Sequence, residues 1–293
     1  MIFVNGCSFT APSDDNNSWV EGFYYNGFEE TKRISSKHLT DKKCVLNVAV
    51  GGSSNSIIRR KTFWYLNNAP FNVLPDYAII QWSTIDRWDY PIFVNKERSK
   101  NFPRVKNRQD WVDKINYMCN GTDTFGYGKE FYENYYSFYG AVLETLENIY
   151  HTQQYLKEKN VPYKMITIGN LFGMDVSVEK LKMLQTIPNF QKGNYANLKT
   201  YNKTMFEKLE EYENSWYELD IIKPLLQKID FTKFIFTDDE NISGFGGGII
   251  EWFLNKNEPL TGGDWHPSEE QHLRFFNEFL WDKIKNEINA VIK

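Results

Sequence analysis

Ser8 stands at the end of a short apolar run, Ile2-Phe3-Val4-Asn5-Gly6-Cys7-Ser8-Phe9-Thr10. His266 stands 258 positions later in Gly263-Asp264-Trp265-His266-Pro267. A serine hydroxyl is a weak nucleophile until a base within hydrogen-bond reach takes its proton. His266 is the best suited of the chain's four histidines, because Asp264 lies two residues before it and Pro267 stiffens the backbone immediately after it. On an extended segment residues i and i+2 share a face, so the carboxylate can orient the imidazole and stabilise its protonated form. The alternative for Asp264-Trp265-His266-Pro267 is a helix-entry loop with a capping role. No Gly-x-Ser-x-Gly elbow is present, which argues against the α/β-hydrolase fold.

Such residues, far apart in the chain, need a scaffold that brings them to one edge. Five short runs read as strands: Ile2–Asn5, Cys44–Val48, Tyr77–Gln81, Tyr163–Ile168 and Lys233–Thr237. The stretches between them are long enough for crossover helices, so the pattern predicts an α/β fold with a five-stranded parallel sheet. Helices are expected at Ser54–Asn67, Tyr135–Lys159 and Ser268–Ile292, with Ser268 capping the last. A doubly wound sheet opens its ligand crevice at the carboxyl ends of its strands. Ser8 would sit there, and the loop carrying Asp264 and His266 comes after the fifth strand and heads toward the same edge. Residues 1–293 read as a single domain with two insertions, at about 87–134 and 171–231. The glycine run Gly244–Gly248 reads as a lid over the crevice, since no Lys-Ser/Thr follows to make it a phosphate loop.

Composition excludes several classes. A hydrophobic content of 41% with 22 Phe, 18 Tyr and 9 Trp is enough for a core, so the chain is not disordered as a whole. The net charge of −4 argues against a nucleic-acid partner, and the basic stretch 96–108 reads as a solvated loop. No apolar run is long enough to span a bilayer, and the first apolar stretch lacks the features of a signal peptide. A cytoplasmic location with no membrane partner is therefore expected. Cys7, Cys44 and Cys119 are too few and too scattered for a disulfide framework or a zinc site. His266 and His272 have poor spacing for joint metal ligation, so neither a metal nor a cofactor is expected.

Four blocks in order carry a family resemblance. They are Gly6-Cys7-Ser8-Phe9-Thr10; Leu46-Asn47-Val48-Ala49-Val50-Gly51-Gly52-Ser53; Pro75-Asp76-Tyr77-Ala78-Ile79-Ile80-Gln81-Trp82-Ser83-Thr84-Ile85-Asp86; and Asp264-Trp265-His266. The chain resembles the GDSL/SGNH hydrolase superfamily, and most nearly the SGNH-like proteins of tailed-phage genomes. The resemblance implies a flavodoxin-like three-layer α/β/α fold. It also implies Ser8 as nucleophile, His266 as base, Asp264 as acid, and the backbone N–H groups of Ser8 and Gly52 as an oxyanion hole. It covers nearly the whole fold but not the two insertions.

The chain departs from the family pattern at three points. Cys7 stands where the first block usually has Asp. Ser83-Thr84-Ile85-Asp86 stands where the third usually reads Gly-Thr-Asn-Asp. The acid lies two residues before the histidine instead of three. Ile85 cannot donate a side-chain hydrogen bond. Asn55 is the first candidate to replace that donor, its other reading being a cap on the helix that starts there; Ser83 and Arg87 are the remaining candidates. Arg87 either recognises a substrate carboxylate or phosphate or pairs with Asp86 or Asp89. Trp82 and Trp265 flank the proposed site, where they would stack on a sugar ring or wall an acyl pocket. Cys7 should point away from Ser8 by strand alternation and reads as a buried thiol.

These residues lead to the expectation of a serine ester hydrolase that removes a small acyl group, such as acetyl, from a carbohydrate or related small ester. Two alternatives use the same scaffold: a catalytically weakened binding or virion structural protein, located in the virion, and an acyltransferase acting through the same serine.

Overall fold

Strands written almost entirely in apolar residues must be covered on both faces. The structure, a computed structural model, describes residues 1–11, 18–31, 43–68, 73–85, 87, 89–92, 116–119, 137–169, 171, 217, 219–237, 246–262 and 266–292. In chain order its strands are β1 (Ile2–Asn5), β2 (Glu29–Thr31), β3 (Cys44–Asn47), β4 (Tyr77–Trp82), β5 (Asp89–Ile92), β6 (Asn116–Cys119) and β7 (Tyr163–Thr167). The helices are α1 (Gly22–Tyr25), α2 (Asn55–Asn67), α3 (Phe138–Glu158), α4 (Lys223–Leu226), α5 (Ile249–Leu254), α6 (Glu269–Phe275) and α7 (Trp281–Val291). A π-helical stretch, Phe276–Leu280, joins α6 to α7.

Four regular strands make a parallel sheet in the order β3-β1-β4-β7, and the three-residue β2 extends it beside β3. Side chains alternate between two cores. Phe3, Leu46, Ala78 and Ile80 face the helices α2 and α3. Ile2, Val4, Val45, Tyr77 and Ile79 face α1, α5, α6 and α7. Helices on both faces of a parallel sheet define an α/β protein. The strand order reverses at β1, so the crevice between the carboxyl ends of β1 and β4 is the switch point where such sheets bind ligands.

The expected fifth strand, Lys233–Thr237, is corrected by the structure. Asp230 Oδ1 accepts from Thr232 N at 3.0 Å and Thr232 Oγ1 at 2.5 Å, and so caps a 3-10 turn over Phe231–Lys233. Phe234 then touches β7 through one bridge to Met165, and Ile235 N donates to Met165 O at 2.9 Å. Thr237 N turns away to Gly247 O. The segment runs beside β7 without building a ladder.

Helix starts follow their side-chain caps. Ser54, Ser137 and Ser268 each accept a backbone N–H from the first turn of α2, α3 and α6. β5 and β6 form a separate antiparallel pair inside the first expected insertion, and α4 lies in the second. Most of both insertions, with the basic stretch 96–108, lies outside the described residues. Among the described residues no helix is long and apolar enough to cross a membrane.

Candidate active site

Residues 1–11 are all buried except Ser8. The chain leaves β1 at Asn5, and the Cys7 carbonyl accepts from Thr10 N at 3.0 Å and Ala11 N at 2.9 Å. This makes one helical turn at the carboxyl end of the strand. Two strand residues hold that turn from beneath. Asn47 Nδ2 donates to Thr10 O at 2.9 Å, and Gln81 Oε1 accepts from Thr10 Oγ1 at 2.5 Å. Cys7 and Phe9 turn into the core on the side of α1 and α6, so the hydroxyl of Ser8 is what the turn presents outward.

The loop after β3 closes over the same point. Val50 O accepts from Ser53 N at 3.2 Å and Ser53 Oγ at 2.7 Å. Gly52 occupies the third position of this turn with φ +78, a region that favours glycine. A Cβ at Gly51 would lie 3.7 Å from Ser8 Cβ, which puts the turn directly beside the serine.

His266 meets Ser8 from the other side. Its Nε2 lies 2.6 Å from Ser8 Oγ. For Nε2 to accept the hydroxyl proton, Nδ1 must carry the ring hydrogen. Phe9 backs the imidazole with ring centroids 4.7 Å apart. The buried His272 lies edge-on to the same Phe9, with ring centroids 6.0 Å apart. Burial, helped by the nearby His266, pushes the His272 pKa down to about 3. His272 is therefore neutral over the whole range in which a histidine base works. Asp264 and Trp265 lie outside the described residues, as does Asp86.

Three expected site residues do other work. Asn55 is neither the cap of α2, which is Ser54, nor a free donor. Its Oδ1 accepts from Ser83 N at 2.8 Å, and its Nδ2 donates to Ser83 O at 3.1 Å and Thr145 Oγ1 at 3.2 Å. Both amide hydrogens are engaged, so none is left for an oxyanion. Ser83 is fully buried, held by Asn55 through its backbone, and its hydroxyl has no hydrogen-bond partner among the described residues. Trp82 is fully buried in the α2–α3 core and its indole N–H donates to Met165 Sδ at 3.3 Å, so it does not wall a crevice. Strand alternation sends it inward. Ile85 packs against the same core. Arg87 is half-buried, and its buried Nη1 has no partner among the described residues. The expected lid is also corrected at its described end. Gly246–Gly248 are buried, and Thr237 N and Oγ1 donate to Gly247 O and Gly248 O at 3.0 Å each.

Gln81, Asn47 and Gln271 escaped the reading of the sequence as site residues. A readable signal existed for two of them. Gln81 is the polar interruption of an otherwise apolar strand, and Ser268-x-x-Gln271 has the spacing of a capping box. Among the described residues no group of three or more His, Cys, Asp or Glu is placed to hold a metal ion. No protein-family model matches this chain, and no curated protein or solved structure matches it.

Proposed function

We propose that the chain is a serine ester hydrolase of the SGNH type on a flavodoxin-like sheet, with Ser8 as nucleophile and His266 as general base. The observation that carries this reading is the 2.6 Å contact between Ser8 Oγ and His266 Nε2, made by residues 258 positions apart just past the carboxyl end of β1. Ser8 Oγ attacks the ester carbonyl carbon while His266 Nε2 takes the hydroxyl proton. The resulting oxyanion is held by the backbone N–H groups of Ser8 and Gly52. Collapse of the tetrahedral intermediate breaks the carbon–oxygen bond, and His266 returns the proton to the leaving alcohol. Water, deprotonated by His266, then hydrolyses the acyl-enzyme. Asp264 is assigned the orienting role toward His266. A small acyl ester carried on a carbohydrate is the proposed substrate class.

The test is labelling with a fluorophosphonate probe. Wild type is expected to label, Ser8→Ala and His266→Ala are expected not to, and Ser8→Ala should melt at the wild-type temperature. Labelling of the Ser8→Ala variant at the wild-type rate would sink the mechanism.

A second reading, a catalytically weakened binding or virion protein, is favoured by one specific feature. Asn55 is committed to Ser83 and Thr145, and Ile85 packs into the core, so neither side chain supplies an oxyanion donor. One such donor is worth about 10²–10³ in kcat. Under this reading wild type stays unlabelled even though His266 Nε2 touches Ser8 Oγ.

A further inference from the structure

The base stands between Leu260 and the start of α6, where the described residues Thr261, Gly262 and His266–Ser268 belong to no helix or strand. A general base must be held to within a few tenths of an ångström to be productive, so something has to hold this loop.

We propose that Gln271 is the positioning residue that holds the His266 loop in register with Ser8. Gln271 sits in the first turn of α6 and is buried. Part of what it does is ordinary capping. Its Oε1 accepts from Ser268 N at 3.0 Å, and its own N donates to Ser268 Oγ at 3.3 Å. The same Oε1, however, also accepts from Thr261 N at 2.9 Å and Thr261 Oγ1 at 3.0 Å, and Nε2 donates to Pro259 O at 2.8 Å. One amide thus ties the chain entering the loop, at 259 and 261, to the chain leaving it, at 268.

The choice of glutamine is informative. Glu269 and Glu270 precede it, and a helix N-terminus favours a carboxylate at the third position too. Glutamate would cap Ser268 equally well but has no hydrogen to give Pro259 O. The loop ends are also pressed together. A Cβ on Gly262 would lie 2.5 Å from Pro267 O and 2.7 Å from His266 O, a space only glycine fits. With both ends fixed and Phe9 behind the ring, the imidazole has little freedom to leave Ser8.

The kinetic part of this inference rests on the serine-hydrolase reading; the positional part does not. The experiment compares Gln271→Met, Gln271→Glu and the cap control Ser268→Ala. It measures thermal melting, fluorophosphonate labelling rate as a function of pH, and the ring ¹⁵N–¹H NMR signals of His266. At temperatures where each variant is folded, Gln271→Met should label about 10–100-fold more slowly, with Gln271→Glu between it and wild type. Both should shift the His266 ring signals toward those of a solvent-exposed histidine. Ser268→Ala should lower the melting temperature without moving the ring signals. If the Met variant does not fold, the Glu variant decides. Unchanged ring signals and unchanged labelling in the folded Gln271 variants would overturn the proposal. If wild type itself fails to label, the hydrolase reading falls while the ring signals still decide whether Gln271 holds His266.

Discussion

Both faces of the sheet carry apolar cores that include aromatic rings, but one adds a network of buried polar side chains and the other a cluster of packed rings. Between β1, α2 and α3 the buried side chains include Asn5, Asn55, Ser56, Thr62, Thr145, Asn148 and Thr152. Asn5 Nδ2 donates to Ile58 O at 2.7 Å and Thr62 Oγ1 at 2.9 Å, Asn148 Nδ2 donates to Ser56 Oγ at 3.3 Å, and Ser56 Oγ donates to Glu144. The opposite face carries the ring cluster. Phe276 lies 4.8 Å from Phe23, 5.6 Å from Trp281 and 6.4 Å from Trp19 between ring centroids. Trp252 meets Phe275 at 5.6 Å. Aromatic burial is non-directional and supplies bulk stability; it anchors the C-terminal helices whose N-terminus delivers His266. Hydrogen bonds are directional, and those on the other face set the backbone of the strand-end turns, above all Ser83.

The largest effect should come from the aromatic face. Phe276→Ala is expected to lose about 3–5 kcal/mol in urea unfolding, as large-to-small changes of a fully buried ring do. On the polar face Asn55→Ala removes the partners that the buried Ser83 N–H and C=O have among the described residues. It should cost about 2–3 kcal/mol, and Asn55→Asp should fail to restore it because the donor to Ser83 O is still missing. A cost near zero for Asn55→Ala would break the comparison, since its hydrogen bonds would then be ornamental.

A smaller, pH-dependent effect belongs to His272. Its pKa is about 3 in the fold against 6.5 ordinarily, so below pH 6.5 the unfolded chain binds the proton that the folded chain refuses. Stability present at neutral pH is therefore lost as pH falls from about 6.5 toward 3, at roughly 1 kcal/mol per pH unit. His272→Leu should flatten this slope between pH 6.5 and 5 in urea midpoints; an unchanged slope would assign the acid sensitivity elsewhere. The smallest effect is expected at Arg274, whose guanidinium pairs with Glu258 at 2.8 Å and Glu278 at 3.2 Å near the surface. Arg274 holds the Glu258 carboxyl below its usual range, and Lys256, with Arg274, does the same for Glu278. Solvent screening leaves such pairs little net worth, so Arg274→Ala should barely move the melting temperature.

Local pattern made part of this architecture readable and hid the rest. Ile2–Asn5 and Tyr77–Trp82 are apolar runs bounded by turn residues, and they are strands in the structure because a run of that length can be buried on both faces. Lys233–Thr237 has the same look, yet the Asp230 cap diverts its start and Thr237 departs to Gly247, so only one bridge forms. The edge strand β2 was missed, since its three residues Glu29–Thr31 carry no apolar alternation. Ser8 and His266 could be nominated as a pair from residue type and spacing alone. Asn55 could not be placed that way: its sequence position suited both a cap and an oxyanion donor, and the two partners that claim it, Ser83 and Thr145, lie 28 and 90 positions away.

By itself, the sequence located four of the parallel strands, β1, β3, β4 and β7, and named the residue types that could serve as a nucleophile and a base. Those properties belong to single residues and to short periodic runs, so they survive without knowledge of the fold. Only the tertiary structure decided that Ser8 alone faces outward from its buried turn, that His266 Nε2 reaches it at 2.6 Å, and that Asn55 and Gln271 act as clamps. A side-chain amide has one carbonyl oxygen and two hydrogens whatever its position; which of them remain for a ligand is settled by the groups that folding brings against it.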